Sequence, residues 1–437
     1  MKSARQTAFE ILTKINRDAS FSNLAVDSAL SECNFSENDR GFVSALVYGV
    51  LERTFTVDYQ LSLYLKQPVR KLKPQVRVLL QMGVYQLLFM DKIPDSAAVN
   101  ETVSLAKSNG CSFAAGMINA VLRNVSKNGM RLPDENDKLL CYSVKYSFPV
   151  ELIKFWIKSY GEENAVGIMS ECDGRPPLSI RVNTLKSNTD ELSSLLQKDD
   201  IYVEKGTAED SLNLGKCGSI EKTQAFKNGC FHVQDIASQL CAKALNPQEN
   251  ETVLDLCAAP GGKSFTLAQL MKNTGRIIAC DIHNHRLALI KSGAERLGIT
   301  NIECVRNDAS LFNDNIPSAD RVLCDVPCSG LGIIRRKPEI RLKPLEQLKE
   351  LPPLQLKILT NASRYVKKGG RLVYSTCALN PKENEGVCKK FLENNRDFKV
   401  ITPDLFTVNT FIRDGFITLM PHINGTDGFF IAVFERK

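Results

Sequence analysis

The sequence predicts a multidomain protein in three parts: an all-α bundle over residues 1–140, a small α+β module over 141–233, and an α/β domain with a parallel sheet over 234–437. Three observations carry this expectation. A chain of 437 residues is longer than one ordinary hydrophobic core organises. Apolar residues before about residue 130 recur at spacings of three and four, as along one face of a helix. From about residue 234, short apolar runs alternate with amphipathic stretches, the pattern of parallel strands separated by helices.

In the bundle, Val76, Leu80, Val84 and Leu87 mark one helical stripe and Ile118, Val121, Leu122 and Val125 another. Ser36 ahead of Asp39 offers a capping box, Pro74 opens one helix, and Pro94 with Asp95 and Ser96 precedes another. Arg5, Lys14, Arg17, Arg53, Arg70, Lys71, Lys73 and Arg123 are spread among these helices. A face presenting several of them would bind RNA, whereas any one alone is an ordinary solvated side chain. The passage RLPDENDKLL and the following SFP read as a linker, with a boundary near residue 140.

Beyond it the pattern predicts a helix around Trp156, a strand-like run from Leu178 to Leu185, a helix TDELSSLLQ and an extended pair before Phe231. The runs TVLDLC, GRIIACD, NIECVRND, RVLCDVP and GRLVYSTC then build the parallel sheet. Two further runs between Phe416 and Arg436, separated by Asn424 and Gly425, suit an antiparallel hairpin at its edge.

Composition narrows the function. Charged residues make up 24% and hydrophobic residues 43%, the balance of a folded globular chain. MKSARQTAFE carries no apolar signal core and no run of eighteen apolar residues occurs, so neither export nor membrane insertion is expected. Fourteen scattered cysteines suit a reducing cytoplasm better than a disulfide framework. With no CxxC pair and only four histidines, of which His283 and His285 stand closest, no metal site is expected. A net charge of +7 permits a polyanionic partner without demonstrating one.

The chemistry is concentrated at strand ends. The segment Asp255–Lys263, DLCAAPGGK, leaves an apolar strand and opens onto an amphipathic helix, the place where an open α/β sheet binds its ligand. Gly261 and Gly262 let backbone approach a bound molecule, although ordinary strand-to-helix turns use glycine too. Gly262, Lys263 and Ser264 resemble the end of a phosphate loop, but the full spacing fails. Asp281 ends the next strand, placed to accept hydrogen bonds from two ribose hydroxyls. Asp308 follows one strand later, either beside an adenine amino group or as a turn-forming residue. Together these favour a nucleoside cofactor. RVLCDVPCSG then brings Asp325, Pro327, Cys328 and Gly330 to the same edge, and GRLVYSTC brings Cys377. Cys280, Cys304 and Cys324, inside their strands, read as small hydrophobic residues. The residues alone leave open which of Cys328 and Cys377 would be a nucleophile.

At RVNTLK from Arg181, FHVQDIAS from Phe231, DLCAAPGGK from Asp255, DVPCSGLG from Asp325 and YSTCALNPKENE from Tyr374, the sequence resembles the Nol/Nop/Sun family of RNA 5-methylcytosine methyltransferases over essentially its whole length. The resemblance implies a Rossmann-like class I methyltransferase domain that uses S-adenosyl-L-methionine. It assigns the cofactor site to Cys257, Ala258, Ala259, Pro260, Gly261, Gly262, Lys263, Asp281, Asp308 and Asp325. It also implies that Cys377 is the nucleophile and that Cys328 assists product release; in DNA cytosine methyltransferases the proline–cysteine motif supplies the nucleophile instead. The chemistry is coherent, because cytosine carbon 5 attacks a methyl sulfonium only after a thiolate has added at carbon 6, and Asp325 would hydrogen-bond the base during that addition.

The helical region resembles the NusB-type RNA-binding domain of the Sun branch, which points to 16S ribosomal RNA, free or within a small-subunit assembly intermediate. The same resemblance implies a monomer. Two other readings compete: a NusB-like RNA-binding factor with an inactive methyltransferase domain, and a transfer RNA 5-methylcytosine methyltransferase.

Overall fold

A computed structural model describes residues 2–18, 22–174, 176–215, 217–406 and 410–437. The chain divides into two compact units, one formed by residues 1–174 with 334–343 and the other by 175–333 with 344–437.

The first unit is helical: α1 Ala4–Asp18, α2 Ser22–Ser31, α3 Glu37–Glu52, α4 Thr54–Ser62, α5 Pro74–Phe89, α6 Asp95–Ser108, α7 Ala115–Asn128, α8 Lys138–Tyr146, α9 Val150–Tyr160 and α10 Glu162–Ser170. The starts of α3, α5 and α6 fall where the capping signals place them, and the Ser36 side chain accepts from Asp39 N–H. Both apolar stripes point inward, with Val76, Leu80, Val84, Ile118, Leu122 and Val125 buried in one core. The passage expected to be a linker holds α8 instead, because the Asp137 side chain caps it through Leu140 N–H and Val144 is buried. Trp156 of α9 is fully buried with its ring edge on Phe148.

Several of the basic side chains are already engaged: Arg5 lies over Phe42 and Lys73 over Phe113. Residues 334–343, distant in sequence, complete this unit. Buried Glu339 accepts from Ser22 N–H and Oγ–H, and the Arg341 guanidinium donates to the Glu52 and Ser147 carbonyls while lying over Phe148.

The second unit begins with β1 Leu178–Val182, α11 Thr189–Lys198, β2 Val203–Lys205, β3 Ser211–Leu214, α12 Gln224–Lys227 and β4 Phe231–Val233. Its antiparallel sheet has the order β2-β3-β1-β4. There follow α13 Ile236–Leu245, β5 Thr252–Asp255, α14 Gly262–Leu270, β6 Arg276–Asp281, α15 Asn284–Leu297, β7 Ile302–Arg306, β8 Ala319–Asp325, α16 Leu351–Ser363, β9 Val366–Thr376, α17 Glu385–Asn394, β10 Phe398–Ile401, β11 Phe411–Arg413, β12 Phe416–Leu419, α18 Pro421–Asn424 and β13 Phe429–Arg436. These build a nine-stranded sheet of order β11-β12-β13-β9-β8-β5-β6-β7, with β10 also on β13.

The strands β5 to β9 pair in parallel, as the alternating pattern predicts. The two final runs are antiparallel neighbours, but they do not form an edge hairpin: α18 joins them, β13 lies between β12 and β9, and β11 is outermost. With β13 fully covered from Phe429 to Phe434, burial on both faces explains a continuous apolar run there. Cys280 and Cys324 are buried as expected, whereas Cys304 is only half-buried on β7.

The chain reverses direction across the sheet between β5 and β8, running outward first through β6 and β7 and then through β8 and β9. The carboxyl ends of adjacent strands at such a reversal open a crevice, and the sequence motifs end there. The antiparallel module is tied to this part by buried polar groups: Arg181 donates to Gln269 at 3.0 Å, and Asn183 donates to the Leu297 carbonyl at 2.8 Å.

Candidate active site

The loop after β5 is shaped by its backbone. Ala258 N–H donates to the Cys280 carbonyl and Gly261 N–H to the Ala258 carbonyl, each at 2.8 Å. Gly261 has φ +110°, and a Cβ there would strike the Phe265 ring at 2.5 Å, so only glycine suits the position. Pro260 is exposed and its peptide bond with Ala259 is cis.

Two cavities flank this loop. One, of about 180 Å³, is lined by Gln234, Asp235, Ser238, Asp255, Lys263 and Asp325 together with residues 257–260 and Gly262. The other, of about 470 Å³, is lined by Cys257, Asp281, His283, Arg286 and Asp308 among others. Cys257 borders both. The residues expected at the cofactor site thus lie on the walls of these two neighbouring cavities or, for Gly261, on the turn between them.

Individual carboxylates there are differently prepared. Asp281 is 4% exposed; it accepts from His283 N–H at 2.9 Å and pairs with Arg286 at 2.9 Å, leaving a fixed acceptor at the strand end. Asp308 accepts from Ser310 N–H at 2.9 Å, so it forms a turn and also lines the larger cavity. Asp255 is buried, with Oδ2 accepting from Ser264 Oγ–H at 2.7 Å and no hydrogen-bond partner on Oδ1. Burial pushes its carboxyl up to about 6 against the Ser264 hydrogen bond.

Asp325 ends β8 between two donors: Lys263 Nζ reaches its Oδ2 at 2.7 Å and Ser375 Oγ its Oδ1 at 2.8 Å. Burial is the largest single influence on Lys263 and works to lower it, but the charges of Asp325, Cys241 and Asp255 together with the Asp325 hydrogen bond outweigh it, and the ammonium is held above its ordinary value. Lys263 also lies over Phe429, 5.1 Å from the ring centre.

The two cysteines, 49 positions apart in sequence, meet with their sulfurs 3.2 Å apart, both half-buried. The Cys377 hydrogen bond, then burial, then the charges of Cys377, Glu383 and Asp325 push the Cys328 thiol well above its ordinary value. Their loops are laced together. Gly332 N–H donates to the Cys377 carbonyl at 2.9 Å, and Gly428 N–H to the Gly332 carbonyl at 2.9 Å.

Buried Glu383 accepts three hydrogen bonds: from Ser329 N–H at 2.8 Å, Gln355 Nε2 at 2.9 Å and Asn380 Nδ2 at 2.8 Å. Gln355 also donates to the Pro327 carbonyl at 3.0 Å, so one network grips the loop on both sides of Cys328. Sequence reasoning did not single out Glu383, Gln355, Ser375 or Gln234. Glu383 stands in the quoted run NPKENE, where an acid among amides was the available signal; a lone glutamine such as Gln355 carries none.

Comparison with known proteins gives three family-model matches: 16S rRNA methyltransferase RsmB/F at residues 242–435, the NusB family at 2–127, and the ferredoxin-like domain of RsmF/B-like methyltransferases at 148–221. The chain is 40% identical to the probable ribosomal RNA small subunit methyltransferase B of Bacillus subtilis, covering 100% of this chain and 99% of that one. It is 32% identical to ribosomal RNA small subunit methyltransferase B of Shewanella oneidensis, over 91% of each. Among solved structures it resembles the crystal structure of PH0851 with TM-score 0.84 and 27% identity, covering 100% of this chain and 99% of the other. It also resembles NSun6 from Pyrococcus horikoshii, solved with SFG, with TM-score 0.61 and 25% identity over 67% and 99%.

Proposed function

Because the chain belongs to the family of small-subunit ribosomal RNA methyltransferases B, we propose that it methylates the 5-position of a cytosine in 16S ribosomal RNA through a covalent bond from Cys377. The observation that carries this reading is the pair of cysteine sulfurs 3.2 Å apart beside Asp325, which itself lines the loop cavity. An amino- or hydroxyl-methylating site needs no thiol, whereas carbon 5 of cytosine must first be made electron-rich by addition at carbon 6.

S-adenosyl-L-methionine is the methyl donor of such an enzyme, and the crevice suits it: a buried acceptor at Asp281, a glycine cradle at Gly261 and an unpartnered Asp255 oxygen. SFG, carried by the NSun6 neighbour, is an analogue of that donor. When bound it supplies an electrophilic methyl group.

The chain's own groups do the rest. Cys377 Sγ adds to carbon 6 of the base. Asp325, held by Lys263 and Ser375, hydrogen-bonds the ring nitrogen and exocyclic amine, with a proton carried by Asp325 or by the base offsetting the charge that develops as electron density moves toward carbon 5. After transfer, the carbon 5 proton leaves, the 5,6 double bond re-forms and Cys377 is expelled. Cys328, a thiol held in its protonated form, assists that release. The helical NusB-type unit and the ferredoxin-like module serve RNA recognition, with functional divisions near residues 140 and 233. No helix among the described residues is long and apolar enough to cross a membrane. Independently of that, we propose that the enzyme acts in the cytoplasm as a monomer.

Incubating wild type, Cys377→Ala and Cys328→Ala with 16S RNA and labelled donor, then reading methyl counts and a denaturing protein gel, tests this. Cys328→Ala is expected to accumulate a covalent RNA adduct, and Cys377→Ala to form none and transfer nothing. A reversed adduct pattern makes Cys328 the nucleophile. Transfer RNA methylated in place of 16S RNA overturns the substrate, and absence of both donor binding and transfer in wild type leaves only an RNA-binding scaffold.

A further inference from the structure

A cleft of about 460 Å³ lies between the first turns of α16 and α17, outside the crevice described above. Pro353, Leu356 and Val387 contribute apolar surface to it, while Lys349, Lys382 and Lys390 stand around it and no Asp or Glu lines it. All three lysines are exposed. None of them forms an ion pair among the described residues, in contrast to Lys389 on the same helix, which pairs with Asp414 at 2.7 Å. Of the neighbouring carboxylates, Glu383 takes three hydrogen bonds and Glu385 is buried, while Glu346, Glu350 and Glu393, close in sequence to Lys349 and Lys390, are exposed but do not line the cleft. Three ammonium groups gathered around one apolar depression repel each other, an arrangement that a polyanion relieves.

The cleft adjoins the described site in two ways. Lys382 directly precedes Glu383, which holds the Ser329 amide next to Cys328 at 2.8 Å. Helix α16 walls both spaces: Leu354 and Ile358 line the crevice beside Asp281, and Leu356 lines the cleft. An RNA strand whose target base enters the crevice carries phosphates on either side of that base. The cleft matches such a strand in charge, and its apolar floor matches the faces of sugar and base.

Resting on the reading of the chain as an RNA methyltransferase, we propose that this lysine-rimmed cleft is the docking site for the backbone of the substrate RNA strand beside its target base. The contacts are to phosphate, so they set affinity and register without reading sequence.

The test uses the full-length chain with Lys349, Lys382 and Lys390 all changed to Gln, and measures binding to a single-stranded RNA oligonucleotide across salt concentrations. Each phosphate contact on a single strand contributes about −0.7 to the slope of log affinity against log salt, so three lost contacts flatten it by about 2. At physiological salt, affinity is expected to fall about tenfold or more and equally for unrelated sequences, with donor binding unchanged. Unchanged RNA affinity and slope overturn the proposal.

A second measurement covers a variant that folds poorly. On wild type, bound RNA is expected to protect these three lysines from amine acetylation more than Lys389; equal labelling with and without RNA overturns the assignment. Protection by polyglutamate but not by RNA also overturns it, in favour of an acidic polypeptide partner. Failure of the enzymatic reading is separable, since it appears as absent methyl transfer by wild type whatever these binding experiments give.

Discussion

Replacing Glu383 with glutamine tests whether one buried carboxylate holds the two cysteine loops in register. Its Oε2 takes the Ser329 and Gln355 donors and its Oε1 takes Asn380 Nδ2. A glutamine keeps one acceptor oxygen. Oriented to retain Ser329 and Gln355, it points an NH2 group at Asn380 Nδ2, and Asn380 cannot simply turn its amide because its Oδ1 accepts from Lys382 N–H at 3.1 Å. At least one hydrogen bond to a charged acceptor is lost, worth about 1.5–3 kcal/mol, and a buried donor is left facing another donor. The total cost is about 2–4 kcal/mol. At about 2–4 °C per kcal/mol for a unit of this size, the melting temperature should drop by about 4–16 °C.

A second consequence separates positioning from mere stability. Glu383 is among the charges that hold the Cys328 thiol up, after the Cys377 hydrogen bond and burial, so its neutralisation should make Cys328 alkylate faster with iodoacetamide. The same loosening displaces Cys328 from Cys377, and covalent RNA adduct should accumulate as in Cys328→Ala. Measured side by side on folded protein, a melting temperature within 1 °C of wild type together with unchanged alkylation and adduct levels would refute the positioning argument.

Two further outcomes follow from the same site. Asp255 has its carboxyl raised to about 6 by burial, against about 3.9 for an exposed one. Its contribution to stability is therefore full below about pH 4 and lost as pH rises through about 6, a swing of about 3 kcal/mol. Asp255→Asn should become progressively more stable relative to wild type from pH 4 to 6 and hold a constant difference above; a difference that does not vary with pH counts against the raised carboxyl. For Gly332, an added Cβ would sit 1.9 Å from the Gly428 carbonyl and 2.9 Å from that of Cys377. Gly332→Ala should thus displace the cysteine loop and reduce methyl transfer at least a hundredfold while donor affinity changes less than threefold; activity near wild type would show that the two strands' loops do not need this contact.

Much of the architecture was legible because it is written in local periodicity. The helical stripes at Val76–Leu87 and Ile118–Val125, the five parallel strands and the glycine turn after Asp255 all appear where the sequence pattern puts them, since each depends on neighbours a few residues away. Motif chemistry also located the crevice, because a parallel sheet delivers its strand ends to one edge. The passage around Lys138 misled for the opposite reason: its polar opening resembles a linker, yet Asp137 caps a helix whose Val144 is buried by residues remote in sequence.

Long-range pairing was beyond any local pattern. Nothing near Phe429 says that β13 lies between β12 and β9, or that residues 334–343 complete the helical unit through Glu339 and Arg341. The sequence by itself determined the two helical stripes, the five parallel strands, the glycine turn after Asp255 and the presence of two candidate cysteines at strand ends. Only the tertiary structure decided that those sulfurs stand 3.2 Å apart, that Lys263 pairs with Asp325, and that Glu383 binds the two loops into one site. These contacts join residues about fifty or more positions apart, and strand order, which emerges from burying both faces of a whole sheet, is what brings them together.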